Sequence, residues 1–421
     1  MNASRIVGTI LTALLAVTLG PWPAGGVEPS DPAPAGPVIV ILNQSVDADQ
    51  VSAEHAQASG IQPDIVYSSA FQGYSAVLSE AQALQLQADP RVSGILPDRP
   101  VAAPQIGAVE NPPQPAQLVS NGVKRVGALG SPTAKIDGID ERVDADIAVL
   151  DTGLQSDHPD LNVVGGADCA PGDGHEDVVG HGTMVGGLAA ALDNGIGRVG
   201  AAPGARLWAV RVADPQGIIT DSSLLCGLDW VTANAATVDV ANLSLGGPLR
   251  GYDIDCAPPN ENLILEAVCA ATTAGVTVVA AAGNEARDAG FVEPAAFSSV
   301  ISVSAMSDTD GQPGGTGPAD ACIPGETDDS LASFSNFGPS VDITAPGTCL
   351  SSTYIGSQYA VSSGTSFSAP LVAGGAALLL ANNPGAPPEQ VRGALVSSGE
   401  PGPLLNDLDG FPEPILNVSR F

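Results

Sequence analysis

A mostly parallel, doubly wound α/β sheet preceded by a small α+β, ferredoxin-like unit is the fold this sequence predicts, and three observations point to it. Apolar runs of strand length alternate with helical stretches from about residue 116 to 421, the signature of a parallel sheet covered on both faces. Residues 37–100 carry a shorter βαββαβ pattern of their own. At 421 residues, 44% of them apolar, the chain has enough hydrophobic surface for a large core.

Taken in order, the chain opens with Arg5 and a 14-residue apolar stretch, Ile6 to Leu19, followed by Pro21 and Pro23. This reads as a signal peptide over residues 1–26, too short for a membrane span of roughly 20 apolar residues. No cysteine lies near it to carry a lipid, so no membrane anchor is expected in the mature form. In the 37–100 unit, Val38 to Leu42, Ile65 to Val66, Tyr74 to Leu78 and Val92 to Leu96 read as strands. Ser79-Glu80-Ala81-Gln82 is a capping box that starts a helix running to about Ala88, where Asp89-Pro90 ends it. Residues 101–115 are proline-rich and aperiodic, a linker. Beyond it, the strands Ile147 to Leu150, Leu207 to Val210, Val238 to Leu243, Val276 to Ala282 and Val300 to Val303 alternate with helices Met184 to Leu192, Ser222 to Ala233, Asn262 to Ala274 and Ser368 to Leu380.

Charge and cysteine content exclude several classes. With 14 Lys+Arg against 46 Asp+Glu the net charge is −32, and only Lys124 and Lys135 are lysines, so no nucleic-acid partner is expected. The six cysteines all follow residue 168 and contain no Cys-x-x-Cys pair, which favours disulfides in an oxidising compartment over metal ligation. A secreted, extracellular protein follows. Six cysteines allow 15 pairings. Sequence alone does not choose among them; the expected set is Cys256 with Cys269 and Cys322 with Cys349, which would close short loops, and then Cys169 with Cys226.

In a parallel sheet, sites form where strands end and helices begin. Asp151 ends the run Ile147-Ala-Val-Leu, His181 opens a helix after Gly180, Asn284 ends Ala280-Ala-Ala-Gly, and Ser366 heads an apolar helix after Gly364-Thr365. Each alone could be a turn or cap residue. Together they supply what acyl transfer needs: Ser366 as nucleophile, His181 as base, Asp151 to orient the base, and the Asn284 side chain with the Ser366 N–H for the oxyanion. Gly180, Gly182 and Gly364 let backbones approach closely around them.

The segments Asp151-Thr-Gly-Leu-Gln-Ser-Asp-His-Pro-Asp160, His181-Gly-Thr, Asn242-Leu-Ser-Leu-Gly-Gly247, Ala282-Gly-Asn284 and Gly364-Thr-Ser366-Phe-Ser-Ala-Pro370 resemble the signatures of subtilisin-like serine endopeptidases (subtilases), in the same Asp, His, Ser order. The resemblance covers residues 116–421 as a peptidase domain. Residues 37–100, with Phe71-Gln-Gly-Tyr-Ser-Ala-Val-Leu at their centre, resemble the inhibitory pro-domain of that family. It implies a monomeric, secreted, autoprocessed zymogen acting on protein or peptide substrates, whose own pro-domain is an intramolecular inhibitor. It further implies substrate contacts at Ser244, Leu245, Gly246 and Gly247 on one wall of the first specificity pocket, Ala281, Ala282 and Gly283 on the other, Val292 near the floor and Glu285 at the rim, with an apolar P1 residue. Two departures stand out: Gly217-Ile-Ile-Thr220 lacks a glycine frequent in the other substrate-flanking strand, and Met184 replaces a commoner histidine. Finally, Leu192-Asp-Asn-Gly-Ile-Gly-Arg198 resembles the family's calcium loop. The implied Ca²⁺ ligands are the carbonyls of Leu192, Ile196 and Arg198 and the side chains of Asn194, Asp160 and Gln117. The Arg198 head is expected to stay in water, and Gln117 to arrive only after the linker is cut.

Overall fold

The computed structural model describes residues 34–101, 108–110 and 115–421 apart from 173, 258–261, 403 and 408. The expected signal peptide and most of the expected linker lie outside the described residues.

The N-terminal unit consists of β1 (Gly36–Leu42), α1 (Ala48–Ser59), β2 (Pro63–Tyr67), β3 (Gly73–Leu78), α2 (Glu80–Gln87) and β4 (Val92–Pro97). Its sheet is antiparallel in the order β2-β3-β1-β4. Side chains set the helix starts: Asp47 accepts from the Gln50 N–H, and Ser79 with Gln82 makes the capping box. The pleat sorts β1 by parity. Val38, Val40 and Leu42 enter the unit's own core with Tyr74 and Leu86, while Ile39 joins Tyr67 and Phe71 on the opposite face.

That opposite face is buried against the larger unit. Ile39, Tyr67 and Phe71 pack in one cluster with Leu224, Leu225 and Leu228 of a helix described below. The linker departs from the aperiodic reading: β5 (Pro100–Val101) and β6 (Ala108–Glu110) are short strands. Each borrows its hydrogen bonds from a strand more than a hundred residues away, so no local pattern announces it.

The larger unit runs α3 (Asn121–Arg125), β7 (Asp146–Asp151), β8 (Val163–Asp168), α4 (His181–Ala190), β9 (Arg206–Arg211), β10 (Ile219–Thr220), α5 (Asp221–Ala233), β11 (Val240–Leu243), β12 (Gly247–Pro248), α6 (Leu263–Thr273), β13 (Thr277–Ala281), β14 (Val292–Glu293), β15 (Ile301–Ser307), β16 (Ser330–Leu331), β17 (Ile343–Pro346), β18 (Leu350–Tyr354), β19 (Gln358–Ser362), α7 (Thr365–Asn382) and α8 (Pro388–Ser398). Strands β8-β9-β7-β11-β13-β15-β17 form one parallel sheet, and β16 pairs antiparallel with the end of β15. Alternate residues of β7 face opposite cores. Ile147 and Val149 pack with Met184 and Leu188 of α4 and Leu371 and Val372 of α7, while Ala148 and Leu150 pack with α5 and α6. The helix α7 is long and apolar enough to cross a membrane, but 83% of it lies inside this core. Strands leave β7 in both directions, so their carboxyl ends open a crevice beside Asp151. Disulfides join Cys169 to Cys226, Cys256 to Cys269 and Cys322 to Cys349.

Candidate active site

Asp151 is the last residue of β7 and His181 the first of α4; both are buried. Gly182 permits the approach, because a Cβ there would sit 2.1 Å from the Gly153 carbonyl oxygen. The His181 Nδ1–H donates to Asp151 Oδ1 at 2.8 Å and Oδ2 at 3.0 Å. A proton on Nδ1 leaves the lone pair on Nε2, which has no hydrogen-bond partner among the described residues. The ring packs at 5.2 Å between centroids against Phe367, the residue after Ser366.

Ser366 lies in the first turn of α7, half-buried. Its Oγ does not donate to His181; it donates to the Ser244 carbonyl at 3.1 Å, and the Ser244 hydroxyl donates back to the Ser366 carbonyl at 2.7 Å. Pro370 explains the second bond. It has no N–H for the carbonyl four residues earlier, so the Ser366 oxygen is free for Ser244. Asn284 is exposed, and its Oδ1 accepts from both the Thr365 N–H and the Thr365 hydroxyl at 2.9 Å. Two donors on one side fix which end of the amide is oxygen. The amide as a whole stands beside Gly364, with Nδ2 3.7 Å and Oδ1 3.8 Å from where a Gly364 Cβ would stand.

Around this centre, Leu245 and Gly246 run into β12, whose Gly247 pairs with Glu293 of β14 and whose Pro248 pairs with Val292. The Val292 side chain is buried, with Cγ1 3.2 Å from a Cβ built on Gly246. Glu285 is exposed and accepts from Asn336 Nδ2 at 2.8 Å. On the other side, β10 pairs antiparallel with β5, Ile219 opposite Val101, and Val101 also lies 3.8 Å from a Cβ built on Gly247. Val101 therefore lies between the two segments expected to flank a substrate.

Sequence reasoning overlooked Asp177. Its buried carboxyl accepts from the Thr152 hydroxyl at 2.9 Å, the Val179 and Gly180 N–H groups at 2.9 and 2.7 Å, and the Thr183 N–H and hydroxyl at 2.9 and 2.7 Å. Burial pushes this carboxyl up from its ordinary value, and the donors pull against that. The signal in the sequence was an acidic residue four positions before a helix that begins on glycine, where no side chain can cap it.

The residues implied for calcium come together at the other end of α4. Asp160 is fully buried; its Oδ2 accepts from the Arg198 N–H at 2.7 Å, and its Oδ1 has no hydrogen-bond partner among the described residues. Burial pushes its pKa up to about 7. The Leu192 N–H donates to the Asp160 carbonyl, and the Asn194 Oδ1 accepts from the Ile196 N–H at 3.0 Å. Two expectations fail here. Arg198 is buried instead of hydrated: its guanidinium stacks 5.0 Å over the Tyr359 ring and its Nε donates to Ser351 Oγ at 2.7 Å, partners that replace water. Gln117 needs no chain cleavage to arrive, since its Oε1 already accepts from the Gly195 N–H at 2.8 Å, with Nε2 held by Asp193. Asp193, which also accepts from the Asp137 and Gly138 N–H groups, was not singled out in the sequence.

Comparison with known proteins agrees with this geometry. Residues 144–411 match the subtilase family, and residues 38–103 match the peptidase inhibitor I9 family. The chain is 38% identical over 323 residues to an alkaline protease of Alkalihalobacillus alcalophilus, covering 76% of this chain and 72% of that one. It is 40% identical over 282 residues to subtilisin Savinase of Lederbergia lenta, covering 66% and 91%. Among solved structures, a cold adapted subtilisin-like serine proteinase aligns with a TM-score of 0.57 at 30% identity over 71% of this chain and 97% of its own. With its fold, its site and its sequence in agreement, the chain belongs to the subtilase family as a serine-type endopeptidase that carries an inhibitor I9 pro-domain, the organisation of a zymogen.

Proposed function

We propose that this chain is a secreted endopeptidase that cleaves its own linker and then protein or peptide substrates through Asp151, His181 and Ser366. The observation that carries the reading is the Nε2 of a buried, Asp151-held imidazole, without a partner among the described residues, whose ring packs on Phe367, the residue after Ser366. Attack requires the Ser366 Oγ to leave the Ser244 carbonyl, give its proton to Nε2 and add to the scissile carbonyl. The tetrahedral oxyanion then takes hydrogen bonds from Asn284 Nδ2 and the Ser366 N–H at the positive end of α7. Collapse expels the amine with the proton held on His181, and water hydrolyses the acyl-enzyme by the same base. A buried Val292 as the implied pocket floor would favour an apolar P1 residue of medium to large size.

The pairing of β5 with β10 supports self-inhibition, because it occupies a substrate-flanking strand with the chain's own tail. Labelling with a fluorophosphonate tests the nucleophile: Ser366 should be modified in the wild type and Ser366→Ala should be inert. N-terminal sequencing of secreted protein should find a start between residues 102 and 115. A labelled serine elsewhere, or full-length protein with no cut, would overturn the respective half.

For the metal, the orphaned Asp160 Oδ1 fits a hard cation, as do the carbonyls of Leu192, Ile196 and Arg198 and the amide oxygens of Asn194 and Gln117, which each keep a second lone pair. Bound Ca²⁺ would supply the charge that Arg198 directs instead to the Tyr359 ring.

A further inference from the structure

We infer that Asp177 is a positioning residue of the catalytic centre, joining the backbone that carries Asp151 to the helix start that carries His181. The inference rests on the hydrolytic reading of those two residues. Asp177 Oδ1 takes the Thr152 hydroxyl and the Val179 and Gly180 N–H groups, while Oδ2 takes both donors of Thr183. The Thr152 hydroxyl in turn accepts from the Gly182 N–H at 2.9 Å. One carboxylate and one hydroxyl thus tie the residue after Asp151 to the residues on both sides of His181.

A local cap could not do this. The N-cap of α4 is Gly180 at φ 107°, and a Cβ there would lie 2.1 Å from the Tyr354 ring, so no serine or aspartate fits at the cap itself. The first-turn N–H groups of Gly182 and Thr183 still need acceptors, and a buried carboxylate at a helix N-terminus is the favourable one. The Thr152 hydroxyl is also directed by it. Once its proton is committed to Asp177, its lone pairs face Gly182. The separation of β7 from α4 at their catalytic ends is therefore set by side chains that touch neither substrate nor reacting atoms.

Two consequences separate positioning from mere folding. Asp177→Asn keeps the shape but faces N–H and O–H donors on both sides with one oxygen and one NH₂. Thr152→Val keeps the shape and removes the bridge, whereas Thr152→Ser keeps the bridge. Asp177→Asn and Thr152→Val should lower kcat per titrated active site by roughly ten- to a hundredfold with KM within about twofold, the cost of a slightly misplaced base. Thr152→Ser should restore most of it. The downfield Nδ1–H resonance of His181 should shift or broaden in both slow variants.

The measurements are made on mature protein with fluorophosphonate titration of active sites. If kcat per titrated site and the resonance are unchanged in both variants while wild type is active, the positioning role is wrong. If the whole loss appears as a lower titrated fraction, Asp177 serves folding alone and the inference also fails. If wild type itself does not hydrolyse peptides, it is the hydrolytic reading that falls.

Discussion

At its N-terminal end α4 presents His181 on a backbone whose N–H groups are taken by Asp177 and Thr152, whereas at its C-terminal end the chain turns through residues 192–198 beside a buried Asp160 oxygen that has no donor among the described residues. The helix dipole explains the asymmetry. Its positive end is served by a carboxylate, which this acidic chain has in plenty, while its negative end favours a cation, and the nearby Arg198 head is engaged with Tyr359 and Ser351. A catalytic base needs a fixed position at every turnover, so its end is closed by covalently attached groups. A stability site tolerates closure by a dissociable ion.

Damage at the two ends should therefore be read by different instruments, and the largest effect belongs to the catalytic end. Ser366→Ala should lower peptide hydrolysis by on the order of 10⁶-fold and prevent release of the pro-segment, with thermal stability unchanged. Maturation of the purified variant without added protease would break the assignment. Next, Asn284→Ala should reduce kcat roughly a hundredfold or more with KM nearly constant, because in the proposed mechanism Nδ2 acts on the oxyanion alone. A change confined to KM would make Asn284 a substrate-binding group instead.

The other end should answer to calcium. Wild-type mature protein should gain about 2.7 kcal/mol of stability at calcium a hundredfold above its Kd, lost in EGTA and lost in Asp160→Ala, with kcat at low temperature barely altered. Equal melting in calcium and EGTA would remove the contrast between the ends. The smallest effect, taken per pH unit, is a control away from both. Burial pushes Glu413 up to about 8, and Oε1 has no partner among the described residues. The folded chain then holds a proton between pH 4.5, the ordinary value, and about 8 that the unfolded chain releases, so stability should fall as pH rises through that window, by at most about 1.4 kcal/mol per unit. Glu413→Gln should flatten the slope; a melting curve that keeps its pH dependence in the variant would assign it elsewhere.

Much of the architecture was readable before any coordinates. The strand and helix order of the larger unit follows from apolar periodicity, and the Ser79 to Gln82 capping box marks the start of α2 in the N-terminal unit to the residue, because both signals are local. Asp151, His181, Asn284 and Ser366 stood out as candidates for a related reason: each is a polar residue among small ones that follows a strand or opens a helix and interrupts an apolar run. β5 and β6 were not, since their partners are remote strand edges. Nor was the exchange between Ser366 and Ser244, which arises from a carbonyl that Pro370 frees a turn away.

The order of elements and the pattern that singles out the candidate reacting groups belong to the chain as written, since they depend on neighbours within a turn or a pleat. Which oxygens find donors does not. Asp177 saturated, Asp160 left with a bare oxygen and Arg198 folded over an aromatic ring all depend on segments tens to hundreds of residues apart meeting at fixed distances, and in a buried site that meeting decides whether a charge is held in place or left to attract an ion.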